Sequence, residues 1–320
     1  MNYGLPYQGS KNRIAKRLVE ALPAAPVLYD VFCGGCAITH TAMLSGKYQR
    51  FVVNDLRGWL PVAFQKAIHG GYAHEDRWIS REDFERLKST DAYAAMCFSF
   101  GNDTRSYMYA RGLEPYKRAL HYAIFWCDFA PWAALCPETA DALAAGLAPI
   151  EARKQRRVQA GHFIVESLKA QLAAEMLTPD ILDKPIYRQI RRPENSHQSL
   201  QSLWSLERLQ SLERLESLPG ALTAHSGDYR ELCFDEPWVI YCDPPYKDTA
   251  DKSKDYADTS FDTESFYSWC ERQALPVYIS EYQMPEDRFV CIAEWDKVTT
   301  MASKTTNHVT ERLWRPRTQL

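Results

Sequence analysis

Asp243-Pro244-Pro245-Tyr246 has the clearest chemical content in the chain. It follows Trp238-Val239-Ile240-Tyr241-Cys242, whose length and β-branched and aromatic bias predict a buried strand. Two consecutive prolines have no N–H to donate, so the ladder stops at Asp243 and the chain leaves the sheet in a stiff extended turn. That turn projects a carboxylate, proline carbonyls and an aromatic ring beyond the strand's carboxyl end, where open α/β sheets bind ligands. An Asp oxygen and a nearby carbonyl can both accept from one –NH2 group, while Tyr246 can stack on a flat ring. Together they make a seat for a planar base with an exocyclic amine. A plain Pro-Pro turn after a strand is the alternative.

The elements that must position this seat begin near the start of the chain. Val27–Phe32 predicts a strand and Cys33-Gly34-Gly35-Cys36-Ala37 a tight turn into a helix around Ile38–Leu44. Two glycines without the third of the dinucleotide fingerprint suit a ligand that lacks a pyrophosphate and lies close over the turn. A second strand, Arg50–Asp55, ends in an acid about twenty residues after that turn, where such folds bind the ribose hydroxyls. A cap on the following helix is the other reading of Asp55. Upstream, Ser10 is expected to cap an amphipathic helix carrying Ile14, Leu18 and Leu22, and a helix amino end beside Lys11 suits a carboxylate. Asp228, after the strand Leu222–Ser226, is either an acceptor for an adenine amine or a turn-forming residue.

At 320 residues with a net charge of −3, the chain is no globally basic nucleic-acid binder, so any phosphate-binding surface must be local. Basic clusters do occur at Arg105, Arg111, Lys117 and Arg118, at Arg153, Lys154, Arg156 and Arg157, and at Arg188, Arg191 and Arg192. Three such clusters in one segment favour an electrostatic footprint over a solvated helix face. Nine cysteines, an odd number at irregular spacing and without a secretion signal, imply reduced thiols in a cytoplasm. Cys33 and Cys36 lack a second pair at zinc-ribbon spacing, and no metal is expected. The apolar runs are too short to span a bilayer.

Residues 57–195 break the alternation of strand and helix. Segments at 82–97, 114–128, 138–147 and 160–177 look helical, so this block reads as a module inserted into a catalytic domain made of 1–56 and 196–320. Its loop Ser99–Tyr107, with Asn102 and Arg105, has the residue types to read base edges or wedge a stack. Leucines then recur every third residue from Leu200 to Leu218, a stripe that winds round a 3.6-residue helix. The later leucines are expected to pack on the sheet and the earlier ones on the module. Lys247–Ser260, polar and nearly free of aliphatics, reads as a lid that orders on substrate binding. A helix at about Thr263–Gln273, a strand Val277–Ser280 and a hairpin of Phe289–Trp295 with Val309–Trp314 complete the sheet.

Taken in order, Tyr7-x-Gly9-x-Lys11, Phe32-x-Gly34-Gly35, Asn54-Asp55, the inserted module, Gly227-Asp228-Tyr229 and Asp243-Pro244-Pro245-Tyr246 resemble the Dam-type, α-group DNA adenine-N6 methyltransferases. Ser99–Asn102, Glu114–Lys117, Ser280–Tyr282 and Glu311–Leu313 look similar to the phage and prophage members. Cys36 departs from the third small residue of many relatives. The resemblance implies an α/β fold, with a seven-stranded Rossmann-like S-adenosylmethionine-dependent methyltransferase sheet and an inserted helical target-recognition domain. It implies that Tyr7, Gly9 and Lys11 border the methionine end of S-adenosylmethionine, that Phe32, Gly34 and Gly35 form its floor, and that Asp55 holds the ribose and Asp228 the adenine. Asp243, Pro244 and Tyr246 would hold an adenine rotated out of double-stranded DNA. Asn102, Arg105, Lys117, Arg118, Arg153, Lys154, Arg156, Arg157 and Lys247 are the expected DNA contacts. The enzyme is expected to act as a cytoplasmic monomer, in a bacterial cell or encoded by a phage. Cytosine-N4 or RNA-base methylation is the nearest rival; relatives of those kinds begin the tetrapeptide with Ser or Asn, so Asp243 favours adenine. A non-catalytic DNA-binding protein with a vestigial pocket is the rival from another class.

Overall fold

A computed structural model describes residues 2–190, 200–218, 220–234, 238–245, 261–300 and 306–320. Tyr246, Lys247, the rest of the expected lid, Arg191 and Arg192 lie outside the described residues. Two units divide the chain, one of Met1–Ala73 with Arg208–Leu320 and one of His74–Glu207.

In the first unit, β1 (Val27–Asp30) and β4 (Trp238–Cys242) are buried along their whole length. Continuous apolar runs of that kind belong to strands with parallel neighbours, covered on both faces. With β2 (Arg50–Asp55), β3 (Ala221–Ser226), β5 (Val277–Glu281), β6 (Phe289–Thr300) and β7 (Thr306–Pro316) they form a seven-stranded sheet of order β3-β2-β1-β4-β5-β7-β6. The first five strands run parallel, and β7 lies antiparallel between β5 and β6. This mixed α/β sheet is consistent with a Rossmann-like methyltransferase. Both strands of the terminal hairpin extend beyond the bounds expected from residue pattern. Strand order reverses between β1 and β4, which opens a crevice at their carboxyl ends.

Helices α1 (Ala15–Ala21) and α2 (Ala37–Ser45) pack on each other, and α3 (Trp59–Ile68) lies on β2 and β3. Ile14, Leu18 and Leu22 are buried as the amphipathic pattern requires. Ser10 does not cap α1, which begins only after Ile14; its hydroxyl accepts from the Asn12 amide instead. The segment Lys11–Ile14 makes its own turn through the Lys11 carbonyl, and that delays the helix.

The second unit is helical: α4 (Arg81–Leu87), α5 (Ala92–Cys97), α6 (Glu114–Trp126), α7 (Ala130–Leu135), α8 (Pro137–Leu147), α9 (Arg153–Ala173), α10 (Pro179–Leu182) and α11 (Pro185–Ile190). Ser80 and Asp91 cap α4 and α5 by accepting backbone N–H groups, the role that short polar side chains have at helix starts. Helix α12 (Gln201–Gln210) spans the chain boundary between the units. Leu200, Leu203, Leu206, Leu209, Leu212 and Leu215 are all buried. A period of three cannot stay on one face of an α-helix, and the chain resolves this by tightening to a 3-10 helix over Ser211–Leu215. There three residues make a turn, so Leu212 and Leu215 share a face.

Candidate active site

Asp243 leaves β4 at the crevice with its side chain 20% exposed, neither interior nor fully solvated. Its Oδ1 lies 2.9 Å from Lys11 Nζ, and the same ammonium is 3.4 Å from Oε1 of Glu311 on β7. Burial works to lower the pKa of Lys11, but the two carboxylates outweigh it and hold the ammonium above its ordinary range. Lys11 therefore stays charged and is tied to the Asp-Pro-Pro turn. The sequence reading placed Glu311 in a stretch similar to the phage and prophage members and gave it no chemical role. Its signal was period two: it stands in phase with Leu313, and both are fully buried.

The glycine turn is anchored from three sides. Asp55 Oδ2 accepts the Gly34 N–H at 2.8 Å and Oδ1 accepts the Arg57 N–H at 2.9 Å. The Asn54 amide donates to the Val31 and Gly227 carbonyls, joining the end of β1 to the turn that carries Asp228. Tyr7 crosses the glycines, its hydroxyl accepting from Arg57, and a Cβ on Gly35 would come within 3.0 Å of it. So Asp55 braces the loop in this structure, with acceptor lone pairs left for a diol. Burial pushes its carboxyl up, against the pull of the two N–H donors. Gly9 lies open to solvent, with nothing near its missing side chain.

Asp228 caps a short 3-10 turn and receives the Arg230 guanidinium on both oxygens. The turn-forming role is thus realised, and an adenine amine would share the carboxylate with Arg230. Phe32 is half-buried in an aromatic cluster with Tyr229, Phe261 and Phe266. A shallow recess beside the proline turn is lined by Pro244, Pro245, Phe261, Phe266 and Glu281, among others. It does not include Phe32, Gly34 or Asp55, although Phe261 joins the two regions by packing on Phe32. Cys33 and Cys36 are buried thiols whose pKa values burial raises, which makes them packing groups.

Asp30, at the end of β1, is fully buried and accepts from Thr39. Burial, reinforced by the charges of Asp243 and Asp55, raises its pKa from 3.8 to about 7. A carboxyl raised in the folded state contributes stability below 3.8 that is lost as pH rises through 7. Asp30→Asn should therefore raise the Tm at pH 8, by roughly 2–4 kcal/mol of stability, and far less at pH 4.5. Equal gains at both pH values in thermal melts would exclude ionisation of Asp30 as the cause.

In the helical unit the expected DNA contacts separate by exposure. Arg105, Arg118 and Lys154 are exposed, and Arg153 is half-buried with its guanidinium 4.8 Å from the Phe125 ring centre. Lys117 is 1% exposed, and burial pushes its pKa down to about 7. Arg156 is buried against the Cys127 sulfur, and Arg157 is buried on Trp204 and paired with Glu207. Phosphate needs an accessible cation, and the burial of Lys117, Arg156 and Arg157 withholds theirs, against the DNA contacts expected of them. The Asn102 amide donates inward to the Met96 carbonyl and the Ser205 hydroxyl, bracing the loop, while Phe100 beside it is 68% exposed. Among the described residues no His, Cys, Asp and Glu group is placed to hold a metal, and no helix is long and apolar enough to cross a membrane.

Residues 7–126 match the model of the D12 class N6 adenine-specific DNA methyltransferase family. No curated protein matches the chain. Among solved structures, the crystal structure of a "putative methylase" from Haemophilus influenzae covers 97% of this chain and 90% of its own, at 10% identity and a TM-score of 0.29. The family's substrate is DNA. A match that runs through Lys11, the glycine turn and Asp55 supports an adenine-specific DNA methyltransferase.

Proposed function

We propose that the chain is a Dam-type, α-group enzyme of the phage and prophage kind, which methylates the N6 amine of an adenine rotated out of duplex DNA. The observation that carries this reading is the position of Asp243: a partly exposed carboxylate at the strand-order reversal, held by Lys11, across β1 from the glycine turn and Asp55. The residues present fit S-adenosylmethionine. Gly35 packs closely on Tyr7, and the turn meets an aspartate with acceptor lone pairs to spare. When bound, that cofactor supplies a methyl group already activated by a sulfonium.

The protein's task is then alignment and charge stabilisation. An adenine amine is a poor nucleophile because its lone pair is delocalised into the ring. Asp243 and the Pro244 carbonyl accept its hydrogens and favour a pyramidal nitrogen. The positive charge that methyl transfer would place on that nitrogen would be stabilised by the adjacent Asp243 carboxylate. The proton the nitrogen then loses passes through Asp243 to solvent. Rotation of the base out of the duplex costs a few kcal/mol, part of which Tyr246 returns by stacking.

Expression in a host without DNA methylation, followed by nucleoside analysis of the digested genome, tests the reading. N6-methyladenine should appear with the native chain and not with Asp243→Ala. N4-methylcytosine in its place would sink the adenine assignment, and calorimetry without S-adenosylmethionine binding would sink the enzyme. The helical unit serves target recognition, with Arg105, Arg118, Arg153 and Lys154 as its phosphate contacts. Replacing Arg153 and Lys154 by Gln should reduce the salt slope of DNA binding by about 1–2, near 0.9 per phosphate lost. An unchanged slope in salt titrations would move the phosphate surface elsewhere.

A further inference from the structure

Lys11 is shared between two carboxylates drawn from distant parts of the sheet. Asp243 ends β4, whereas Glu311 lies within β7, two strands further along the order β4-β5-β7. Glu311 is 0% exposed, and a buried carboxylate is costly unless its charge is compensated. The charge count makes its presence informative. A Lys11–Asp243 pair alone sums to zero, and an acceptor bound to a full ammonium is a weak partner for a second donor. Adding Glu311 brings the sum over these three side chains to one net negative charge, in a low-dielectric site where such a charge acts strongly. A sheet that needed only stability at this position would be served as well by an apolar side chain.

We propose that Glu311 is a positioning residue of the methyl-transfer site: it draws on the Lys11 ammonium so that Asp243 is held in place yet remains an anionic acceptor for the substrate amine. The proposal rests on the reading of Asp243 as the group that grips that amine. Glu311 touches neither substrate nor cofactor. It acts through Lys11, and its effect belongs to the step in which positive charge develops on the amine nitrogen, not to binding of either ligand.

The test is steady-state kinetics on duplex DNA together with calorimetry for S-adenosylmethionine. Glu311→Gln should lower kcat by about 10–100-fold, the scale for weakening one preorganised electrostatic contact, with KM for DNA and cofactor Kd nearly unchanged. In a Lys11→Gln background the same substitution should cost little, because the charge it offsets is gone. Glu311→Asp, which keeps the charge but retracts it, should fall between native and Glu311→Gln. A native kcat in Glu311→Gln, or losses for Lys11→Gln and Glu311→Gln that simply multiply, would overturn the proposal. So would a loss that appears in cofactor Kd and not in kcat. If thermal melts show that Glu311→Gln does not fold, Glu311→Asp decides, and a native kcat there overturns the idea. An active Asp243→Ala sinks the underlying reading, whereas an inactive Asp243→Ala beside a fully active Glu311→Gln sinks only this one.

Discussion

Asp243→Ala should lower methyl transfer at least about 10³-fold while S-adenosylmethionine still binds within a few-fold of its native affinity. The size follows from removing the principal acceptor for a nitrogen that becomes cationic at the transition state, where a single preorganised partner is worth about 10²–10³. Loss of the carboxylate also leaves the Lys11 ammonium facing the substrate amine. With Glu311 still its partner, that ammonium turns an N–H donor toward an amine that needs an acceptor, which takes the loss beyond that range. Cofactor binding is spared because the glycine turn is braced by Asp55 and Asn54, neither of which bonds to Asp243. Single-turnover assays and calorimetry separate the two quantities. Appreciable turnover in this variant would remove Asp243 from the chemistry, and a parallel loss of cofactor affinity would make it a structural residue.

Gly4→Ala should destabilise the protein by about 3 kcal/mol or more and carry cofactor binding with it. Gly4 has a φ of +68°, and a Cβ there would stand 2.1 Å from the Gly35 carbonyl oxygen and 2.7 Å from the Ala37 nitrogen. Both contacts are with backbone, so no rotamer change relieves them. The local partners are fixed as well: His40 Nδ1 accepts the Gly4 N–H, Arg208 donates to its carbonyl, and the Leu5 N–H bonds the Gly35 carbonyl. Any shift that frees the methyl group therefore displaces the turn itself. Gly9→Ala is the internal control. Gly9 has a φ of +85°, but a methyl group there would meet nothing within 4 Å, so only conformational strain of about 1–2 kcal/mol applies. Denaturant melts of the two variants should differ clearly; equal midpoints would mean that the N-terminal segment does not pack on the turn as described.

Much of this was legible from residue order. The proline pair marks the end of β4, the glycine pair marks the turn after β1, and the unbroken apolar runs mark strands covered on both faces. These are local facts, because the donors, side-chain volumes and periods that cause them lie within a few residues. Exposure was not legible at the same scale. Arg156 and Arg157 read like Arg153 and Lys154 in a basic run, yet consecutive positions on a helix point in different directions, and two of the four turn inward. Lys117 is buried for the same reason on α6.

By itself the sequence determined the strand ends, the polar residues delivered there, and through them the kind of ligand the crevice suits. Only the tertiary structure decided who partners whom. Lys11 lies hundreds of positions before Asp243 and Glu311, and nothing local says that one ammonium will serve two carboxylates. Strand pairing across β4, β5 and β7 brings them together, and a sheet's register is set by the burial of entire faces and not by any one residue on them.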